Sequence, residues 1–355
     1  MSAVHVVVPD GIDDPARPSG GNTYDRCLCR ELASLGWSVH EHAVPGFWTC
    51  PNAVSFATLA AVVRRIPDDA LVLLDGLVAS TAPEVLVPQA RRLRLVVLVH
   101  MPLGHRPPAD EADDARSREG AVLSAAAVVV TTSTWTRDRL LDLYPLASDR
   151  MHVAEPGVET ADLAAGTANG GELLCVAAVT FEKGHDVLVD ALAAISDLPW
   201  SCVCVGRLDR DPAFARAVRR RSLDGGLDGR VQFAGPRTGA ELDRSYAVAD
   251  LMVLASRAET YAMVITEALA RGLPVVAAEV GGLTEALGHG AAGVRPGLLV
   301  APGDPSALEA ALRAWLGDTE LRGRLRQAAR ERRDTLSGWP ATASMIAEVL
   351  TGASR

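Results

Sequence analysis

Short apolar runs alternate with stretches whose apolar positions recur every three or four residues, and the alternation continues along almost the whole chain. That rhythm predicts parallel strands buried on both faces and joined by helices. In the first half it places strands over 3–8, 39–43, 70–74, 95–99, 126–131 and 151–154, and helices over 23–35, 55–65, 84–92, 111–124 and 134–143. The second half repeats the plan, with strands over 173–179, 201–205, 231–233, 251–254, 275–278 and 298–300. Its helices are expected over 184–195, 212–222, 239–248, 262–271 and 305–316, and a last helical pattern, 341–350, follows Trp339-Pro340. A polar, small-residue stretch over 159–171, with Gly166, Gly170 and Gly171, separates the halves and reads as a linker. The expected class is α/β, with two doubly wound Rossmann-like domains over 1–160 and 161–335 and a C-terminal helical segment over 336–355. Ligands of such sheets bind beyond the carboxyl ends of the strands, so two facing domains would enclose a cleft.

Composition narrows the partners. The 355 residues exceed one comfortable core and suit two domains, and the 48% apolar and 22% charged fractions are those of a globular protein. Apolar runs such as 93–99 and 125–130 fall short of a membrane span. A formal net charge of −9 with dispersed arginines argues against nucleic acid, which needs a clustered positive footprint. The densest basic cluster, Arg91-Arg92-Leu93-Arg94, reads as a solvated helix end, with peripheral contact to acidic lipid or a phosphorylated acceptor as the alternative. The chain enters the apolar run 4–8 without a basic leader, which places it in the cytoplasm. Six cysteines show no Cys-x-x-Cys pair, and Cys175, Cys202 and Cys204 sit in strand patterns, so buried thiols explain them better than zinc or disulfides.

The most informative chemistry lies between Glu259 and Glu285. Glu259 and Glu267 flank the start of the helix expected over 262–271, which Gly272 and Pro274 stop before the apolar strand 275–278. The first amides of a helix lack intrahelical partners and, with the helix dipole, form a site for a diphosphate. Backbone from Thr260, Tyr261, Ala262, Met263 and Val264 would present them. Glu267 lies roughly 7 Å further along the axis than Glu259 at about 1.5 Å per residue, so one carboxylate can face a sugar and the other a ribose. An ionised carboxylate is acceptor-only, and its two oxygens suit the two donors of a vicinal diol. The plainer alternative is a surface helix with acids where its dipole favours them.

The Glu-x7-Glu spacing, followed by Glu-Ala-Leu-Ala-x-Gly-x-Pro-Val-Val-Ala and Gly-Gly-x-x-Glu, resembles the nucleotide-sugar segment of retaining glycosyltransferases of family four, which have the GT-B fold. The resemblance extends to Phe181-Glu182-Lys183-Gly184-His185-Asp186, Gly206-Arg207-Leu208 and Gly235-Pro236, and covers about 173–316. It implies that Lys183 contacts the donor diphosphate, although a solvated lysine in a tight turn fits that sequence too. Where the family has arginine five residues before this lysine, the chain has Ala178, so Arg207, at a strand end beside Gly206, or Arg257, next to Glu259, is expected to supply the charge. Arg237 belongs to the 233–237 loop that would shape recognition of the base. Ala262 stands where the family most often has glycine; alanine resists positive φ, so the loop presents the amides of Tyr261, Ala262 and Met263 if it stays in right-handed space, with a tighter sugar pocket or lower activity as the alternative.

In the first half, Pro18-Ser19-Gly20-Gly21-Asn22 resembles the family's Gly-Gly loop against the donor diphosphate and acceptor, which assigns Gly20 and Gly21 to donor binding. It lacks the Gly-x-Gly-x-x-Gly dinucleotide fingerprint. His100 ends the strongest strand of this half, where the family places a histidine near the transferred sugar, and Tyr24 and His105 are candidates for the acceptor side. Asp209-Arg210-Asp211 has the look of an Asp-x-Asp metal motif, but Pro212 and a helix follow, so Asp211 is better explained as an N-cap. Thr284 and Glu285 either reach the diphosphate or cap a turn. In the resembling fold the C-terminal helices cross back to the first domain.

The resemblance therefore implies a metal-independent retaining glycosyltransferase without a cofactor. It would move a hexosyl group from a UDP- or GDP-sugar to a small-molecule or glycan acceptor. Lys183, Glu259 and His100 are its candidate catalytic residues. A nucleotide-sugar epimerase of the same fold, or a weakly active partner that only binds the donor, are the alternatives.

Overall fold

The computed structural model describes residues 2–48, 50–105 and 112–354. It divides into two compact units, the first made of residues 1–13, 19–157 and 337–355 and the second of residues 14–18 and 158–336.

The first unit runs β1 (Ala3–Pro9), α1 (Gly20–Ser34), β2 (Ser38–Val44), α2 (Ala53–Arg65), β3 (Leu71–Asp75), α3 (Gly76–Ser80) and α4 (Pro83–Leu86). It continues with β4 (Arg94–Val99), α5 (Ala112–Ala125), β5 (Val128–Thr131), α6 (Thr134–Leu143) and β6 (Met151–Val153). Its six strands pair in parallel in the order β2-β1-β3-β4-β5-β6. Burial on both faces explains the unbroken apolar runs: every residue of β3 is buried, and β4 is buried after Arg94. The helix expected over 84–92 is instead α4 followed by a 3-10 turn, Val87–Arg91, because Pro88 enters it and withholds an amide.

The second unit runs β7 (Glu172–Val176), α7 (His185–Ala194), β8 (Ser201–Val205), α8 (Pro212–Asp224), β9 (Val231–Gly235), α9 (Gly239–Ala247) and β10 (Leu251–Leu254). Then follow α10 (Met263–Ala270), β11 (Val275–Ala278), α11 (Leu283–Leu287), β12 (Gly297–Val300), α12 (Pro305–Gly317) and α13 (Thr319–Arg333). Its sheet is also parallel, in the order β12-β11-β10-β7-β8-β9. The sequence pattern had not shown α13, because its core stripe is built from Leu325, Ala328, Ala329 and the buried Arg322 within an arginine-rich run. The terminal α14 (Trp339–Ala353) belongs to the first unit, where it packs on α1. No helix among the described residues is long and apolar enough to cross a membrane.

The 159–171 stretch is docked on the second unit throughout its later part. Ala164 N–H donates to Arg271 O at 2.9 Å, and Trp315 Nε1–H donates to Gly170 O at 2.8 Å. Asp250, 1% exposed just before β10, accepts from Thr167 N–H and its hydroxyl, from Glu172 N–H at 3.0 Å and from Arg326 at 2.8 Å. One buried carboxylate thus ties the segment to β7 and α13. Removing it leaves those donors unanswered, so Asp250→Ala should lower unfolding stability by about 3 kcal/mol in denaturant titration. A loss below ~1 kcal/mol would contradict that role.

Candidate functional site

In the second unit the crossovers from β7 and β10 leave the sheet in opposite directions, and these two strands are neighbours. That is the topological switch point, where doubly wound sheets bind ligands outside the carboxyl ends of the strands. The loop after β7 carries Lys183 and the loop after β10 carries Glu259.

Several contacts join the two loops. Arg257 N–H donates to Glu182 O at 2.7 Å. Gly184 takes φ +64°, and a Cβ there would lie 1.9 Å from Ala255 O, so only glycine permits this approach. The Arg257 guanidinium grips both oxygens of Asp186 at 2.8 Å, donates to Phe181 O and lies over the Phe181 ring. Asp186 is held below the usual carboxylate range by this arginine, whose hydrogen bonds outweigh the opposing effect of burial. Of the two arginines expected to replace the missing cation, Arg257 is thus engaged in tying the loops together. Arg207 instead pairs with Asp209, whose side chain is 73% exposed, and such a pair exchanges readily.

Lys183 Nζ donates to Glu259 Oε1 at 2.7 Å, and Ser256 Oγ donates to the same oxygen at 2.8 Å. The expected cation and sugar-facing carboxylate are therefore direct partners. Glu259 Oε2 has no hydrogen-bond partner among the described residues. The glycine pair explains itself here: Gly282 N–H donates to Glu259 O at 3.3 Å, and a Cβ on Gly281, at φ +54°, would fall 1.7 Å from that carbonyl. Both glycines press on the backbone that carries Glu259.

Helix α10 starts one residue later than expected, and its N-cap is Ala262 at φ 67°, ψ 68°. The condition of right-handed backbone is not met, and alanine here bears the left-handed strain that glycine would escape. No side chain caps the helix. Ile265 N–H bonds to Ala262 O, while the Met263 and Val264 amides have no partner among the described residues. An uncapped N-terminus with free amides suits an anion. Thr260 is half-buried, and Tyr261 is buried in the core, so Tyr261 can offer only backbone.

Glu267 sits one turn inward, where Tyr246 O–H donates to its Oε2 at 2.7 Å and leaves Oε1 without a partner among the described residues. Burial raises its carboxyl above the ordinary range, against the opposing pull of Tyr246 and Arg271. Arg237 donates to Ser245 Oγ at 2.9 Å and lines a hollow beside α9 with Glu172 and Glu241, a hollow that Lys183, Glu259 and Glu267 do not line. Asp211 caps α8 through Phe214 N–H at 3.0 Å, as its sequence context implied.

The first unit holds a separate cluster. Gly20 and Gly21 are not a loop: Ser19 caps Asn22 N–H at 3.1 Å, and both glycines form the first turn of α1. Gly21 still has a close-approach role, since a Cβ there would meet the His100 ring at 3.3 Å. His100 follows β4, and its Nε2 lies 2.8 Å from Asp25 Oδ1 on α1 and 3.6 Å from Asp75 Oδ2 at the end of β3. Asp75 Oδ1 also caps α3 through Leu77 and Val78 N–H. Burial, then the Asp25 charge, push Asp75 up to about 7. Burial opposes a charge on His100, but Asp25 and Asp75 together raise its pKa. Tyr24 is fully buried, donates to Ala154 O at 2.9 Å and packs edge-on against His100 and Trp339, so its ring faces the core and not an acceptor. The His105 side chain lies outside the described residues.

Among the described residues, two groups bring potential metal-ligand atoms within 4.8 Å of one another, namely Asp25, Asp75 and His100, and the core cluster Cys175, His185 and Cys204. All six cysteines are free thiols, and Cys50 alone among them is exposed. Asp25, Asp75, Ser256 and Tyr246 had escaped sequence reading. Asp75 alone left a signal, as the polar end of the apolar run over 71–75.

Because left-handed backbone strains alanine and not glycine, Ala262→Gly should raise unfolding stability by about 1 kcal/mol. A drop in thermal midpoint would contradict the strain.

A model of the family described as glycosyl transferases group 1 matches residues 170–318. The D-inositol 3-phosphate glycosyltransferase of Corynebacterium glutamicum is 30% identical over 337 residues, covering 90% of this chain and 69% of that one. That of Jonesia denitrificans is 33% identical over 257 residues, covering 66% and 59%. The chain thus spans less than two thirds of the length of some relatives it matches. Sucrose-phosphate synthase from Thermosynechococcus elongatus superposes with a TM-score of 0.81 at 22% identity, covering 99% of both chains. HepE from Anabaena, solved in complex with UDP and glucose, superposes with a TM-score of 0.76 at 19% identity, covering 99% of this chain and 100% of that one. With the switch-point motifs in place and this similarity carried over most of a relative's length, the chain has the GT-B fold and belongs to the group 1, family-four-type glycosyltransferases.

Proposed function

We propose that the chain transfers a hexosyl group from a UDP- or GDP-sugar to a small-molecule or glycan acceptor, with retention at the anomeric carbon and without an essential metal, in the cytoplasm. The observation that carries this reading is the Lys183–Glu259 ion pair beside the uncapped start of α10, at the switch point of the second sheet. When a nucleotide sugar breaks at its anomeric carbon, negative charge grows on the departing diphosphate. Lys183, Arg207 and the amides of Met263 and Val264 are protein-borne groups that would meet that charge. Lys183 is held by Glu259 and the amides by the start of α10 before the substrate arrives, while Arg207 exchanges its exposed Asp209 for the phosphate, so little reorganisation opposes transfer.

Glu259 has one oxygen held by Lys183 and Ser256, which leaves the other to accept from sugar hydroxyls. Glu267, similarly half-engaged by Tyr246, would hold the ribose diol. A carboxylate bonded to an ammonium and a hydroxyl is a poor covalent nucleophile, because both donors draw on its charge. Retention is therefore assigned to front-face attack, in which the departing phosphate takes the acceptor's proton. The HepE complex with UDP and glucose supports this donor class, and relatives named for D-inositol 3-phosphate make a phosphorylated cyclitol the first acceptor to try.

Lys183→Ala and Glu259→Ala should each cut kcat/KM by about 100-fold or more, with the circular dichroism spectrum unchanged. Both side chains sit in loops, so the fold should survive. Turnover within threefold of the parent in either variant would refute the reading.

A further inference from the structure

Three histidines that the proposed transfer does not use share one face of the first sheet, on β1 and the edge strand β2. His40 and His42 are two positions apart on β2, so their side chains leave the same face, and His5 on β1, the register partner of His40, joins them there. His40 is exposed and the other two are half-buried, so solvent reaches the group.

The His5 ring lies between the others, its centroid 4.8 Å from that of His40 and 5.2 Å from that of His42. His5 Nδ1 is 3.0 Å from His42 Nε2. A hydrogen bond between two imidazoles needs an acceptor lone pair, so one of these nitrogens is bare. His40 Nε2 is 3.2 Å from Ser38 Oγ, an exposed local contact, and its Nδ1 has no partner among the described residues.

The separation of His5 Nδ1 and His42 Nε2 also suits a shared ion. Imidazole nitrogens bind zinc at about 2.0–2.1 Å, and two of them around one ion at octahedral or tetrahedral angles lie roughly 3.0–3.4 Å apart. The rings are nearly parallel, with interplanar angles of 22° and 14°, so their lone pairs converge when the rings turn about χ2, a broad torsion whose change leaves the backbone in place. His40 completes the set by turning from Ser38, and its exposure gives it room to do so. Three imidazoles without a carboxylate suit zinc, nickel or copper and not magnesium or calcium, which prefer oxygen.

We propose that His5, His40 and His42 form a binding site for one first-row divalent cation, zinc foremost. The bound ion ties β1 to the edge strand β2 through three side chains and keeps a coordination position for water. It takes no part in the proposed transfer chemistry.

Zinc chloride titrated into the full chain, first stripped of metal with a chelator, tests the site. Calorimetry should give a dissociation constant of about 10 µM or tighter, and the thermal midpoint should rise with zinc and not with magnesium. Nitrogen-15 histidine NMR should show the His5, His40 and His42 signals moving together. His40→Gln should weaken binding by about tenfold or more, and the double variant His40→Gln, His42→Gln should abolish it. Weaker binding in the parent protein would overturn the proposal, as would unchanged affinity in the folded double variant. So would zinc that moves only the His100 or His185 signals, which belong to the other two groups of potential ligands. Zinc binding is read without substrate, so its failure leaves the transferase reading intact, and a failure of sugar transfer leaves the zinc site standing.

Discussion

Neighbouring strands whose connections depart in opposite directions leave an opening at their carboxyl ends that no crossover covers. In the second unit that opening falls between β7 and β10; Lys183 and the amides that open α10 follow these two strands, and Arg207 follows the adjacent β8. The sheet order decides where chemistry can occur, and the loop contacts decide how rigidly it is presented. Glu182 O, Gly184 and Asp186 on one side lock onto Arg257 and Ala255 on the other, which brings Lys183 and Glu259 within hydrogen-bonding distance.

The same loops store costs that folding alone would not retain. Ala262 occupies left-handed space, and α10 begins without a capping side chain. Each departure is worth about 1 kcal/mol, and both fall at the start of the helix where free amides face the opening. Asp211 and Asp304, by contrast, cap their helices through backbone amides, with proline in the first turn of each. Among the described residues of this unit Ala262 alone is a non-glycine at positive φ, and strain placed at that helix start is what a preorganised anion site requires.

Much of this was legible in the sequence, for identifiable reasons. Parallel strands buried on both faces announce themselves as continuous apolar runs, so every strand of both sheets was anticipated. The Glu259 to Glu285 segment was readable because its carboxylates, glycines and proline are tied to helix and strand boundaries. What escaped reading depends on long-range contact. The bond between Lys183 and Glu259 joins residues 76 apart in sequence, and that between Asp25 and His100 joins residues 75 apart. Helix α13 was hidden because alanines and a buried arginine supply its inner stripe. Gly20 and Gly21 misled as a loop because Ser19 starts the helix earlier than apolar periodicity does. Ala262 misled because propensity favours right-handed backbone, and the surrounding contacts override it.

The central claim is that the amides opening α10 and the adjoining Lys183–Glu259 pair form a preorganised seat for a nucleoside diphosphate. Hydrogen–deuterium exchange of the peptides spanning 256–268, with saturating UDP or GDP added, tests it most directly. The account predicts slowed exchange at Met263 and Val264 with at least one of the two. Unchanged exchange with both would contradict it.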